Sequence, residues 1–365
     1  MAPTSPDSPV ENLPEPLTPT EVATALEERV VGQKTALRDL AVALSKRLAN
    51  QPSGNLLLIG SSGSGKTTLM RAAEWFLSQQ ETPVPLLRIH ANVLGQAAEA
   101  GRPGQLILHG LLEAARAQDQ SGKSADLLER ARRGIVLVDE VDKIRSQIGG
   151  SVHLPGVRAQ EALLTLAENE SIPLTLPEWL GGLEVRIDSR ELLFVAAGAF
   201  EGLYDAVYDR VTVGEDRGAL KPVTRVEGGQ VEEEHSFLLA DWLRSEDLFN
   251  YGMTPQFLSR FECVTLLDEL NEQELVRILL ENDDSPYHRA RRFLDRLGYE
   301  LVVSPGALGE VARRAAVRKR LGARALNEIC RRLFRSIEFD PAAAARDGAI
   351  FLDVDDVERI LGSSE

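Results

Sequence analysis

Cysteine is scarce in this 365-residue chain: Cys263 and Cys330 are the only two, far apart, in no CxxC pair and beside no histidine pair. That excludes a structural zinc module and a disulfide framework, and both thiols read as small apolar core groups without a chemical role. Long hydrophobic runs are absent too. No segment approaches the roughly 20 uninterrupted apolar residues of a membrane span. The first residues, MAPTSPDSPVENLPEPLTPT, lack the basic segment and apolar run of a secretory signal, so a cytoplasmic location is expected. Positive charge is in deficit, with 41 Lys and Arg against 56 Asp and Glu and a formal net charge of -15. Broad electrostatic attraction to nucleic acid or to anionic lipid is therefore disfavoured, and neither partner is expected outside a local basic patch.

What remains, 43% hydrophobic and 27% charged residues, is the composition of a globular protein long enough for two or three domains. Residues 1–18 are rich in Pro, Ser, Thr and Glu and read as a flexible polar tail. Thr20-Glu21 signals a helix cap running through Ala25. Gly32-Gln33 opens a second helix with Ala36, Leu37, Leu40, Ala41 and Leu44 at helical spacing. Five short apolar runs follow, Leu56–Ile59, Leu86–Ile89, Ile135–Val138, Leu192–Ala197 and Cys263–Leu267, with helical stretches between them. They read as strands buried on both faces, which predicts an α/β fold with a doubly wound parallel sheet covered by helices. Two segments rich in Pro, Gly and charge, Asn169–Arg190 and Val211–Glu234, predict inserted loops or hairpins. From Asn271 the periodicity is mostly helical, through Leu275, Ile278, Leu279, Phe293, Leu294 and Ile329, with a last strand at Ala349–Leu352 and a short helix through Val357 and Ile360. The expected organisation is a tail at 1–18, a large α/β domain at 19–268 and a small, mainly helical domain at 269–365. No internal repeat is present.

The chemistry is concentrated in Gly60-Ser61-Ser62-Gly63-Ser64-Gly65-Lys66-Thr67, a phosphate-binding loop preceded by the strand run Leu56–Ile59 and followed by the helical run from Thr68. The glycines let backbone N–H groups converge on phosphate oxygens, and the helix adds its positive end. Lys66 can reach the β- and γ-phosphates and Thr67 can ligate Mg²⁺, so Gly60 through Thr68 form the candidate nucleotide cradle. On its own this loop supports ATP or GTP binding. A second run, Ile135 to Val138, delivers Asp139 and Glu140 at its C-terminal end, where ligands of parallel sheets bind. Asp139 would hold Mg²⁺, and Glu140 would polarise the attacking water as general base. An isolated acidic pair could merely cap the next helix; following a P-loop, the catalytic reading is favoured.

Further along, Gly134 to Ile144 closely resembles the Walker B segment of AAA+ ATPases of the ClpX/HslU group of Clp unfoldases. Arg29-Val30-Val31-Gly32-Gln33 is similar to that group's adenine-side motif, with Val31 against the base. Phe194 to Leu203 resembles the sensor-1 region, Tyr251 to Phe261 the arginine-finger box, and Gly322-Ala323-Arg324 the sensor-2 motif. The resemblance covers about residues 20 to 340 in unbroken order. It implies a five-stranded AAA+ sheet with a small helical domain, ATP and Mg²⁺ as cofactors, and a homohexameric ring acting on protein substrates. It also implies that Arg260 is a finger reaching a neighbouring subunit's γ-phosphate and that Arg324 senses the γ-phosphate within its own subunit. Considered alone, Arg260 could equally form a surface salt bridge. The run Arg313, Arg314, Arg318, Lys319, Arg320 and Arg324 could be a solvated helical face.

The resemblance has gaps. The chain lacks the group's four-cysteine zinc domain and the Ile-Gly-Phe tripeptide that docks the peptidase, so direct docking on ClpP is not expected. Where the group's aromatic pore loop would stand, this chain reads Ala100-Gly101-Arg102-Pro103-Gly104, replacing an aromatic paddle with a cation and a rigid proline. The group's basic pore-entrance loop is replaced by Pro177 to Gly182, where Trp179 is expected to be a buried anchor rather than a partner contact. Ala197, Gly198 and Ala199 offer no polar sensor-1 residue, and none is assigned. Three functions follow, in descending order: a ring-shaped remodeller of proteins with Arg102 in its pore, a nucleotide-dependent assembly or scaffold protein, and a nucleic-acid motor.

Overall fold

A computed structural model describes residues 17–99, 103–118, 124–168, 171–213, 222–227, 230–235, 237–318 and 321–362. The tail to residue 16, the loop residues Ala100, Gly101 and Arg102, and Lys319 and Arg320 lie outside the described residues. The five apolar runs become β1 (Asn55–Ile59), β2 (Leu86–His90), β3 (Ile135–Asp139), β4 (Leu193–Gly198) and β5 (Phe261–Leu266). They form one parallel sheet in the order β5-β1-β4-β3-β2. β3 and β4 are buried throughout and β1 nearly so. The edge strands depart from the expected two-sided burial, alternating between covered and open positions. Each has a neighbour on one side only, and each carries charge outward: Arg88 of β2 reaches Glu74 at 3.4 Å.

Side chains on successive strand positions point to opposite faces, and this divides the apolar residues of the sheet between two cores. Leu57, Ile59, Val136, Val138 and Phe194 pack with the helix α4 (Leu154–Glu168) side. Leu56, Leu58, Ile135, Leu137 and Val195 pack with α1 (Pro19–Glu27), α2 (Lys34–Leu48) and α3 (Lys66–Ser78). The first helix is capped two residues earlier than the sequence suggested. Thr18 and Glu21 form a reciprocal capping box around Pro19 at the first helical position, the arrangement that a Thr-x-x-Glu spacing with an early proline favours.

A third core gathers Leu270, Leu275, Leu294, Leu326, Ile329, Leu333 and Val357. It contains α6 (Glu272–Glu281) and α7 (Ala323–Phe339), and Cys330 is buried within it as an apolar group. Beside these helices lies a strand the periodicity did not reveal, β6 (Glu300–Val303), paired in parallel with β7 (Ala349–Leu352). Leu301 and Val303 face inward and Glu300 and Val302 outward, too short an alternation to stand out between helical patterns. α5 (Pro255–Leu258) is a single turn preceding β5.

The segment Asn169–Arg190 contains an antiparallel hairpin pairing Ile172–Thr175 with Glu184–Ile187. A second hairpin, pairing Pro222–Glu227 with Gln230–His235, falls in the segment 211–234 and runs one residue past it. Trp179 is not the buried anchor expected. Its ring packs against the core but stays partly exposed, with Nε1 donating to Glu113 Oε1 at 2.6 Å and the Arg116 guanidinium lying 4.4 Å from the ring centre. An indole has an apolar body and a polar edge, and this position satisfies both.

Candidate active site

The phosphate loop joins β1 to α3, and its conformation depends on two glycines in the left-handed region, Gly63 at φ +83° and Gly65 at φ +105°. Lys66, the first residue of α3, folds back under the loop. Its Nζ donates to the carbonyls of Gly60 at 2.5 Å and Ser61 at 2.8 Å. Gly60 and Ser61 therefore hold the lysine from behind, whereas Ser62 through Thr68 line the open cavity. Burial pushes the Lys66 ammonium down to about 8, against the opposing pull of Asp142 and Asp139 and with a further push from Arg324. A buried cation whose desolvation outweighs the pull of its neighbouring carboxylates is ready to receive an anion. Ser64 Oγ adds a buried hydroxyl with no hydrogen-bond partner.

β3 runs beside β4 and brings Asp139 to the same cavity, where Thr67 Oγ1 donates to Asp139 Oδ2 at 3.3 Å. Glu140 follows in a left-handed backbone conformation, φ 57°, which turns the chain sharply off the strand. Its carboxylate is half exposed at the cavity, 3.9 Å from His90 Nδ1. The pairing of a hydroxyl with one carboxylate fits Mg²⁺, which keeps waters and takes oxygen ligands from substrate phosphates. Among the described residues no group of three or more His, Cys, Asp or Glu could hold a metal by itself.

The cavity, about 410 Å³, is closed on one side by Arg29, Val30 and Val31 and on another by Ile278, Asn282, Arg324 and Asn327. That volume lies within the range of small-molecule sites. Arg324 thus meets the phosphate loop from the third core. A Cβ built on Gly63 would lie 3.1 Å from Arg324 Cγ. Arg260 does not line this cavity. It follows α5, and its guanidinium pairs with Glu168 at the end of α4, both side chains partly exposed.

Four residues without an assigned role occupy connecting positions. Asp142, 1% exposed, accepts from the Ala199 backbone N–H at 3.0 Å through Oδ1. Glu201 lines the cavity just beyond β4. It supplies the polar side chain missing from Ala197 to Ala199, displaced past a turn in which Phe200 takes φ 49°. Gln33 is buried, and its Nε2 donates to Ser64 O at 2.9 Å and Asp268 O at 2.8 Å while Oε1 accepts from the Asp268 N–H at 2.8 Å. Gln160 of α4 is likewise buried and fully bonded. Of these, Gln33, Asp142 and Glu201 stood inside recognisable motifs, and Gln160 did not.

A family model for the AAA domain (Cdc48 subfamily) matches residues 51–264. The chain is 31% identical over 338 residues to the ATP-dependent Clp protease ATP-binding subunit ClpX of Azotobacter vinelandii, covering 87% of this chain and 72% of that protein. It is 31% identical over 370 residues to the ATP-dependent Clp protease ATP-binding subunit ClpX 3 of Methylococcus capsulatus, covering 93% and 80%. No helix among the described residues is long and apolar enough to cross a membrane. A parallel five-stranded sheet, a phosphate loop facing an acidic strand end, and this extent of identity make the chain an ATPase that belongs to the ClpX-like AAA+ family.

Proposed function

We propose that this ATPase works as a homohexameric ring in the cytoplasm and converts ATP hydrolysis into remodelling of protein substrates. The observation that carries the reading is the place of Arg260. Lys66, Thr67, Asp139, Glu140 and Arg324 meet at one cavity, whereas Arg260 stands outside it on an exposed turn. A finger that serves a neighbour's phosphate needs that position. ATP sits with its base near Val31 and its phosphates along Gly60 to Thr68. Thr67 and Asp139 would hold Mg²⁺, which would supply charge neutralisation at the phosphates. Lys66 orients the outer phosphates, Glu140 takes a proton from the attacking water, and Arg324 ties nucleotide state to the angle between a large domain ending near residue 268 and a small domain after it.

A scaffold ATPase that does not thread polypeptide is the second reading. It is favoured by Arg102 and Pro103 standing where the group carries an aromatic grip, in a loop whose Arg102 lies outside the described residues. The absent docking tripeptide argues for work without ClpP in either case.

The test combines hydrolysis with assembly. Glu140→Gln should bind ATP yet turn over at least about a hundredfold more slowly, within the range of general-base losses. Arg260→Ala should be inactive alone and recover when mixed with Glu140→Gln, because each mutant supplies what the other lacks. A mutant Arg260→Ala that is fully active as a monomer would rule out the ring. Unfolding of a tagged reporter, slowed by Arg102→Ala, separates threading from scaffolding.

A further inference from the structure

Gln160 lies near the middle of α4 and is 1% exposed. Its Nε2 donates to Ile144 O at 2.7 Å and to Gly252 O at 3.0 Å. Its Oε1 accepts from the Thr254 backbone N–H at 2.8 Å and from Thr254 Oγ1 at 2.9 Å. An amide has two donors and one oxygen with two lone pairs, and here all four are used. A buried amide is tolerated only when its bonds are complete, and here the Ile144 carbonyl and the Thr254 N–H depend on it in turn. What the amide adds is registration of three segments that are remote in sequence.

Those segments matter for the chemistry. Ile144 stands four residues after Glu140, at the end of the turn leaving β3. Thr254 caps α5, its Oγ1 accepting from Phe257 N at 3.4 Å. From there the chain is bonded without slack: Leu258 N–H donates to Thr254 O at 3.0 Å and Arg260 N–H to Phe257 O at 3.2 Å. Ser146 reinforces the junction, its N–H and Oγ both donating to Gly252 O, at 2.8 and 2.9 Å. Phe257 is buried beneath the turn and meets Phe261 edge-on at 5.0 Å.

We propose that Gln160 is a positioning residue for Arg260, fixing the finger turn to the strand end that carries the general base Glu140. The proposal rests on the reading of Arg260 as a finger acting on the next subunit. Gln160 then sets where one subunit's guanidinium stands relative to its own water-activating carboxylate, and the ring inherits that spacing at every interface. An error near 1 Å in such placement costs about a hundredfold in rate.

Mixed rings test it. Arg260→Ala subunits keep their own cavities and need a neighbour's finger; Glu140→Gln subunits supply one and turn over nothing. Their mixture gives the reference activity. Gln160→Met, close in length and unable to make the four bonds, is then placed in either partner. On the finger donor, with Glu140→Gln, it should lower the recovered activity at least about tenfold, a fraction of the misplacement cost. On the finger acceptor, with Arg260→Ala, it should leave the recovered activity within about twofold of the reference.

Equal loss in both arms, as misfolding or a general packing role would produce, overturns the proposal, and so does no loss in either. Loss only in the acceptor arm overturns it in favour of a role at the subunit's own cavity. A reference mixture without recovery defeats the trans reading of Arg260 and this inference with it.

Discussion

The backbone N–H of Ala323 donates to the carbonyl oxygen of Gly63 at 3.0 Å. The first turn of α7 is thereby bonded to the crest of the phosphate loop, and the fit is close. A Cβ on Gly63 would lie 2.3 Å from Leu321 O and 2.9 Å from Arg324 N, at a φ of +83° that side chains resist. Gly63→Ala therefore forces the 321–324 segment away from the loop, on top of roughly 1–3 kcal/mol of backbone strain. Nucleotide affinity should fall at least about tenfold, the equivalent of about 1.4 kcal/mol. Gly149→Ala is the control, with φ +59° and no atom within 4 Å of the added carbon. Equal affinities for the two mutants, read by fluorescent ADP titration, would disprove the contact's importance.

Gln33 makes the second tie between the loop and the chain beyond the sheet. It bonds both Ser64 O and the Asp268 backbone. Removing it leaves part-buried peptide groups unpaired at about 1–3 kcal/mol each. Gln33→Ala should lower the melting temperature of the nucleotide-free protein. Gln33→Glu should lower it further, since a carboxylate oxygen would face the carbonyls of Ser64 and Asp268. Calorimetric melting checks the order, and a Glu mutant as stable as the native chain would contradict it.

These two ties also mark how far the sequence could be read. β1 and β3 were legible because an apolar run, a glycine-rich loop and an acidic pair each carry their chemistry locally. Thr67 and Asp139 are expected close together because both read as Mg²⁺ ligands, and they stand 3.3 Å apart. Gln33 was visible only as a member of a motif, since its partners are main-chain atoms 31 and 235 positions away. Backbone carbonyls have no signature in sequence. Gln160 was invisible for the same reason. Glu201 is hidden because Ala197 to Ala199 carry no polar group, and the chain turns at Phe200 before Glu201 reaches the cavity. β6 was hidden by brevity.

Lys66 gives the site a pH dependence with a definite sign. Burial lowers its pKa from the unfolded value of 10.5 to about 8. Below pH 8 the ammonium is charged in both folded and unfolded chains, and its desolvation opposes folding in full. As pH rises from 8 to 10.5 the folded protein sheds the proton first, so this opposition fades. Phosphate oxygens beside Lys66 favour the charged form and raise its pKa again. ADP or ATP binding should therefore take up protons between about pH 8 and 10, with affinity falling by up to about tenfold per pH unit there. Titration calorimetry in two buffers of different ionisation enthalpy reads the uptake directly. Lys66→Ala should abolish it; persistence in that mutant would assign the proton elsewhere.

Arg260 is held on its own subunit by Glu168, eight residues and about two turns beyond Gln160 on the same helix. A guanidinium cannot make this pair and grip a neighbour's phosphate with the same donors, so the ion pair competes with the proposed finger. Both partners are partly exposed, 41% and 39%, and such pairs contribute about 0.2–1 kcal/mol. Glu168→Gln should then raise ATP turnover by between roughly 1.4-fold and fivefold, the rate equivalent of that range. The gain should shrink as salt is raised, because screening weakens the same pair in the native chain. Initial rates from 0.05 to 0.5 M salt (about 14 to 4 Å of screening length) follow this directly. A lower rate in Glu168→Gln at every salt concentration would mean that Glu168 aims the finger instead of restraining it.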